Sequence, residues 1–351
     1  MAFKSDKSAV DRDWNLTMVK AREAYSLLKR NSESSNKVDW RDVTVGHIDT
    51  GVTTNPVFRW NSRGESDFML TQYGANFREL SQTPKDPLDY DGEPGHGTRT
   101  SSVLTGNLPG TFVGVAPTVR VVPYRVTNSV MLSKKIRRAN IANAIRHAVD
   151  INRCDVISIS LGWPLLSWFS DRPMGEAVDY AYENGVIVVA AGGQIVDAVC
   201  YPGKYYRSIG VGGVEADYSV WQKYGNEMQS FIDVWAPASP IYRANTEIVN
   251  GQEEYKYGYG DGTSYATVHV AGAAAMWLTY KYDELESAYS EPWHRVEAFR
   301  SLLKGTHQKV EGPYEPQEGT GILDAHALLT ENLPGKSKLK YETNKAVDMY
   351  A

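Results

Sequence analysis

Cysteine is almost missing from this chain: Cys154 and Cys200 are the only two in 351 residues. That excludes a disulfide-stapled scaffold and leaves two reduced, half-buried thiols as the reading. Blocks of Lys or Arg are absent too, and the net charge is −5, so the electrostatic footprint of a nucleic-acid or membrane-surface binder is missing. No apolar run is long enough to cross a bilayer. The start, "MAFKSDKSAVDRDW", lacks the apolar core of a secretory signal, so cytoplasmic residence is expected, or secretion if a leader was removed beforehand. There is no internal repeat and no low-complexity segment. What is present, 42% hydrophobic and 23% charged residues, is ordinary for a globular protein.

Apolar runs alternate with amphipathic ones. "DVTVGHID" (42–49), "VRVVPYRV" (119–126), "CDVISISLG" (154–162) and "VIVVAAGG" (186–193) read as strands. Between them, "SKKIRRANIANAIRHAVD" (133–150) reads as a helix capped by Ser133, with Ile136, Ile141, Ala144, Ile145 and Ala148 near one face. "MGEAVDYAYENG" reads as another helix, ending at Gly185. This alternation predicts an α/β fold with a parallel sheet wrapped by helices, ligands gathering at the carboxyl ends of the strands. Residues 61–93 are polar and mostly loop, with one short strand at "GANF". The expected organisation is a short extension over 1–13, one domain over 14–331 with 61–93 as a loop insertion, and a polar tail over 332–351 with little to bury.

Three residues stand where chemistry could occur. Ser264 follows a glycine-rich turn in "GDGTSYATVHVAG" and sits at a helix start, where free N–H groups favour developing negative charge; an ordinary N-cap is the plainer reading. Among seven histidines, His96 in "EPGHGTRTSSVLTG" has glycine on both sides, unlike a packing histidine. His47 precedes Asp49 by two residues, but on a strand such a pair points the same way and is held apart. His147 and His269 lie within helical runs and read as packing or surface groups. Asp49 ends a strand in "HIDTGV" and places a carboxylate at the sheet's carboxyl edge. Asp-Thr-Gly is also half of an aspartic-protease site, but no second copy exists to share the proton.

Taken together, "HIDTGV", "GHGTRTSSVLTG" and "GTSYATVHVAG" resemble the Asp, His and Ser motifs of the subtilisin-like serine peptidases, in that family's chain order. "WNLTMVKAREAY", "VISISLG", "YPG" (201–203) and "GTGILDAHALL" resemble flanking segments, so the likeness covers most of the chain. The resemblance implies a three-layer α/β/α fold with a mostly parallel twisted sheet. It implies an acyl-enzyme mechanism with Ser264 as nucleophile, His96 as general base and then acid, and Asp49 fixing His96. By the same likeness Ser160, Leu161 and Gly162 would pair with extended substrate, and Ala190, Ala191, Gly192 and Gly193 would line the side-chain pocket before the scissile bond. The family's strand ends Ala-Ala-Gly-Asn, and its Asn amide stabilises the tetrahedral intermediate. Here Gln194 takes that place, carrying the same NH₂ on one extra methylene, beside the Ser264 backbone N–H.

Other departures are Tyr265 for Met, Val268 for Pro, Arg99 for His, and a short loop from Gln194 to Tyr201. Asp197 in that loop reads as a solvated carboxylate. The resemblance implies peptide or protein substrates, while charge and the lack of a long apolar run lead to the expectation of no nucleic acid and no membrane. It also implies a pro-segment or inhibitor that is not present in this chain. No cofactor is required; relatives hold structural calcium, but their ligand loops have no match here. "DPLDYDGE" (86–93) groups four carboxylates without a regular ligand spacing and reads as an exposed acidic loop. Two alternatives stay open: a peptide ligase or macrocyclase, in which an amine intercepts the acyl-enzyme, and a catalytically weak peptide-binding scaffold, motivated by Gln194.

Overall fold

The computed structural model describes residues 10–30, 38–79, 81, 83–163, 171–194, 197–225, 227–312 and 320–349. Most of the expected N-terminal extension and residues 195–196 of the short loop lie outside them. In chain order the helices are α1 (Trp14–Met18), α2 (Ala21–Arg30), α3 (His96–Thr105), α4 (Lys135–Asp150), α5 (Arg172–Glu183), α6 (Thr263–Tyr280), α7 (Tyr282–Ala288), α8 (Pro292–Gly305) and α9 (Ala325–Thr330). The strands are β1 (Thr44–Asp49), β2 (Ala75–Asn76), β3 (Asn107–Leu108), β4 (Phe112–Val113), β5 (Arg120–Arg125), β6 (Val156–Ile159), β7 (Ile187–Ala191), β8 (Ile209–Glu215), β9 (Val234–Ser239), β10 (Ile241–Val249) and β11 (Gln252–Gly260).

Seven strands form one sheet in the order β2-β5-β1-β6-β7-β8-β9, and every pairing in it is parallel. The period of two along each strand builds the layers. Val45, Val156, Ile187 and Val189 face one core, shared with α6 and α9. Ile48, Ile157, Ile159, Val188 and Ala190 face the other, shared with α4 and α5. This is the expected α/β architecture with helices on both faces, and the sheet needs both because both of its sides are apolar.

Two local expectations change. Ser133 does not cap α4, which starts at Lys135 after Lys134 and has no side-chain cap. Ile136 is 64% exposed. It lies five residues before Ile141, roughly 140° around the helix from the buried stripe. The C-terminal segment also buries more than its composition suggests. Ala346 is buried, its N–H donates to Asp179 Oδ1 at 2.8 Å, and the neighbouring Val347 N–H donates to Oδ2 at 3.1 Å. Arg207, fully buried, donates to the Glu342 carbonyl at 2.8 Å and the Tyr341 hydroxyl at 2.7 Å. The tail is therefore seated on α5 of its own chain. Among the described residues no helix is long and apolar enough to cross a membrane.

Candidate active site

The ends of β1, α3 and α6 converge. Asp49 is the last residue of β1, His96 the first of α3, and Ser264 the second of α6. His96 Nδ1–H donates to Asp49 Oδ1 at 2.7 Å, and the Ser264 hydroxyl lies 3.1 Å from His96 Nε2. Asp49 is fully buried and His96 only 8% exposed. Burial pushes the Asp49 carboxyl up. The His96 charge and hydrogen bond, then His47 and the Thr50 N–H, pull it down further, so it stays below its ordinary value. Asp49 is thus held as a carboxylate that accepts from His96, which fixes the imidazole tautomer with Nε2 free to accept.

Gly97 explains why His96 is glycine-flanked. A Cβ there would stand 2.2 Å from the Gly51 carbonyl oxygen and 3.1 Å from Asp49 Cβ, so only glycine lets α3 start this close to β1. His47 sits on the other side of Asp49, its Nε2 3.8 Å from Oδ2 and 2.9 Å from Thr100 Oγ1. Strand parity keeps it out of hydrogen-bond reach, as its spacing predicts, and burial holds it neutral by lowering its pKa. His147 lies on α4 beside Tyr124, and His269 is fully buried in α6 with Asn15 and the Tyr265 carbonyl as partners.

Ser264 has a second neighbour. Its hydroxyl also lies 3.1 Å from the Ser160 carbonyl oxygen, while the Ser160 hydroxyl donates back to the Ser264 carbonyl at 3.0 Å. Both serines line a cleft of about 280 Å³ together with His96, Met131, Leu161, Gly162, Ala191, Gly193, Gln194 and Arg243. The β10–β11 hairpin contributes Arg243 and Gly260 to the lining of the same cleft.

Of the residues expected to bind substrate, Ser160, Leu161, Gly162, Ala191 and Gly193 line this cleft, but Ala190 and Gly192 do not. Alternation on β7 turns Ala190 into the core beneath α4 and α5. Gly192 is packed from within: a Cβ would meet the Tyr224 hydroxyl at 2.6 Å and the Val211 carbonyl at 2.9 Å. At Gly193, with φ +94°, a Cβ would stand 2.5 Å from Cys200 Sγ. The two glycines make room for the protein's own neighbours rather than for a ligand side chain. Gly162 also departs from expectation. Its N–H donates to the Val130 carbonyl and its carbonyl accepts from Leu132 N–H, both at 2.9 Å, so its pairing groups are already used.

Gln194 lies at the cleft mouth, largely exposed. Its Oε1 accepts from the Thr263 N–H at 2.9 Å, the free first-turn donor of α6. That bond leaves the NH₂ as the end of the amide without a described partner in the chain. Thr263 is not singled out by the sequence; its place at the start of α6, next to Ser264, is the only signal for it. Asp197 is exposed and outside the cleft. Cys154 and Cys200 are free and both buried, and burial pushes the Cys200 thiol up to about 11.

The acidic loop holds the largest surprise. Asp86 is fully buried rather than exposed. It accepts from Thr50 Oγ1 at 2.7 Å, Gly95 N–H at 2.9 Å, Tyr90 hydroxyl at 3.0 Å and Leu88 N–H at 3.0 Å. Thr50 Oγ1 in turn accepts from Gly97 N–H at 2.9 Å. One carboxylate therefore ties the end of β1 to the start of α3. Its oxygens are filled by protein donors, which leaves Asp86 no free side for a cation, while Asp89, Asp91 and Glu93 are exposed. Among the described residues no group of three or more His, Cys, Asp or Glu is placed to hold a metal.

A carboxylate, an imidazole and a hydroxyl linked in sequence above the carboxyl ends of a parallel sheet have the geometry of a serine hydrolase. Residues 41–321 match the sequence model of the Subtilase family. The chain belongs to that family of serine endopeptidases. It is 30% identical over 294 residues to the "Major intracellular serine protease" of Bacillus subtilis (strain 168), covering 81% of this chain and 82% of that one. It is 29% identical to Subtilisin Savinase of Lederbergia lenta, over 90% of this chain and 97% of that one. Its fold matches the crystal structure of MycP1 with the N-terminal propeptide removed, at TM-score 0.66 and 19% identity over 93% of this chain and 100% of that one. It also matches the prenylagaramide maturation protease PagA, at TM-score 0.62 and 20% identity over 89% and 99%.

Proposed function

We propose that this subtilase hydrolyses peptide bonds through an acyl-enzyme, with Ser264 as nucleophile, His96 as general base and then acid, and Asp49 as the group that orients and stabilises the imidazolium. The observation that carries this reading is the linked pair of contacts, Asp49 to His96 at 2.7 Å and His96 to Ser264 at 3.1 Å. A substrate carbonyl placed over Ser264 would develop its oxyanion toward the Ser264 N–H at the start of α6 and the Gln194 NH₂. The Thr263 hydrogen bond supports this role for Gln194, because it holds the amide by its oxygen end.

The shared Ser264 proton suggests how binding readies the nucleophile. At rest it has two acceptors at 3.1 Å, His96 Nε2 and the Ser160 carbonyl. A substrate N–H that donates to the Ser160 carbonyl competes for that acceptor and leaves His96 as the proton's partner. His96 then takes the proton as Oγ attacks, and returns it to the leaving amine. Cytoplasmic action is part of the proposal, in keeping with the word intracellular in the Bacillus subtilis relative's name.

A fluorophosphonate probe tests the reading. It is expected to label Ser264, and Ser264→Ala is expected to lose both labelling and peptide cleavage. Full hydrolysis by the alanine variant would overturn the assignment.

A further inference from the structure

A peptide that adds as a strand needs free N–H and C=O groups on the edge it joins, and along one edge these recur every second residue. Here the Ser160 carbonyl faces Ser264, so the next groups on that edge belong to Gly162. Both are taken. Gly162 N–H donates to the Val130 carbonyl and Leu132 N–H donates to the Gly162 carbonyl, the bond pattern of a parallel bridge centred on Met131. A substrate paired at Ser160 through the residue under attack would reach Gly162 with the residue two positions earlier. That place is filled by the chain itself.

The filling segment is held from behind. Arg138 Nη1 donates to the Leu132 carbonyl at 2.8 Å and the Ser133 carbonyl at 3.1 Å. Its Nε donates to Asp171 Oδ2 at 2.9 Å, and its guanidinium lies 4.0 Å from the centre of the Trp163 ring, next to Gly162. Arg137 Nη1 takes the Met131 carbonyl at 2.7 Å, and Met131 N–H donates to Ser129 Oγ at 3.2 Å. Leu132 is fully buried. The carbonyls of Val130, Met131 and Leu132 are therefore all committed, and one guanidinium ties the segment to the wall it closes. Freeing Gly162 requires breaking this set together.

We propose that the acyl side of the cleft accepts two residues in extended pairing and no more, and that Arg138 is the residue setting this limit by holding Val130–Leu132 on Gly162. This rests on the peptidase reading above. The substrates it fits are segments recognised by the two residues before the scissile bond, with little gained from those further upstream.

The test is a series of chromogenic peptide anilides that share their last two residues and carry two, three, four or five in all. For the wild-type chain, kcat/KM is expected to vary by less than about threefold across the series, since no new backbone pair forms. A rise of tenfold or more on adding the third residue would overturn the proposal. In Arg138→Met, which keeps bulk but removes the donors, the four-residue substrate is expected to gain about tenfold over the two-residue one. Amide hydrogen exchange gives a readout independent of turnover and of that variant's folding: Leu132 and Gly162 should be protected in the free wild-type chain, and rapid exchange at both would overturn the closure. If no peptide is cleaved, the peptidase reading falls, while slow exchange at these two amides still supports the closed wall.

Discussion

The two sides of the cleft are built to different standards. On the side of Asp49 and His96, one side chain ends a strand, the other starts a helix, and the ties are several: Asp49 to His96 and the Thr50 N–H, Thr50 to Asp86, and Asp86 to Gly95. On the side of Gln194, an exposed side chain at the start of a loop is held by its carbonyl end to Thr263 alone among the described groups. Under the proposed mechanism, the proton-transfer chain would be over-determined, whereas the proposed oxyanion donor would depend on one anchor. Each side can be broken separately.

The largest effect is expected at the proposed nucleophile. Ser264→Ala should lower kcat by about 10⁶, read by single-turnover assays with high enzyme. Asp49→Asn should cost about 10⁴ in kcat at neutral pH, because an amide in that place no longer fixes the imidazole with Nε2 as acceptor. On the other wall, Gln194→Ala should lower kcat by about 10²–10³ and leave KM nearly unchanged, since the amide acts on charge that develops only in the transition state. A drop of less than threefold would mean that the second oxyanion donor is not Gln194. A smaller effect is expected from Asp86→Asn, which replaces acceptor capacity with an NH₂ among four donors. Roughly a tenfold loss in kcat and about 1–3 kcal/mol of stability should follow, measured by steady-state kinetics and urea unfolding. Unchanged kcat with reduced stability would make Asp86 a purely structural tie.

The same contrast sets how much could be read from sequence. Asp49, His96 and Ser264 are legible because each sits at an element boundary with glycine nearby, Asp49 where an apolar strand stops and His96 and Ser264 where small-residue helices start, and such punctuation survives in a one-dimensional string. The parallel sheet was legible for the same reason. Ala190 and Gly192 were misplaced because their neighbours, α4 in one case and Tyr224 in the other, are distant in sequence. The burial of Asp86 is not legible, because composition gives a loop's average polarity but not which of its carboxylates turns inward. The closure at Gly162 depends on where Val130–Leu132 comes to rest, thirty residues away, and no periodicity reports that.

The smallest expected effect on turnover concerns the seat of the nucleophile rather than the chemistry. His269 lies on α6, five residues after Ser264, fully buried, with its Nδ1–H donated to the Tyr265 carbonyl at 2.7 Å and its Nε2 accepting from Asn15 at 2.8 Å. Burial drives its pKa from 6.5 down to about 4, more than the Tyr265 hydrogen bond can offset. Between those values the unfolded chain binds a proton that the folded chain refuses, so stability is fully present above pH 6.5 and falls as the pH drops toward 4. The loss is on the order of 3 kcal/mol, and buried His47, also lowered, acts in the same direction. Urea unfolding between pH 7 and 4 should show this slope, and His269→Gln should flatten it while leaving kcat at pH 7 within about twofold. An unchanged slope in that variant would move the acid sensitivity to His47, next to Asp49, and so back to the over-determined side of the cleft.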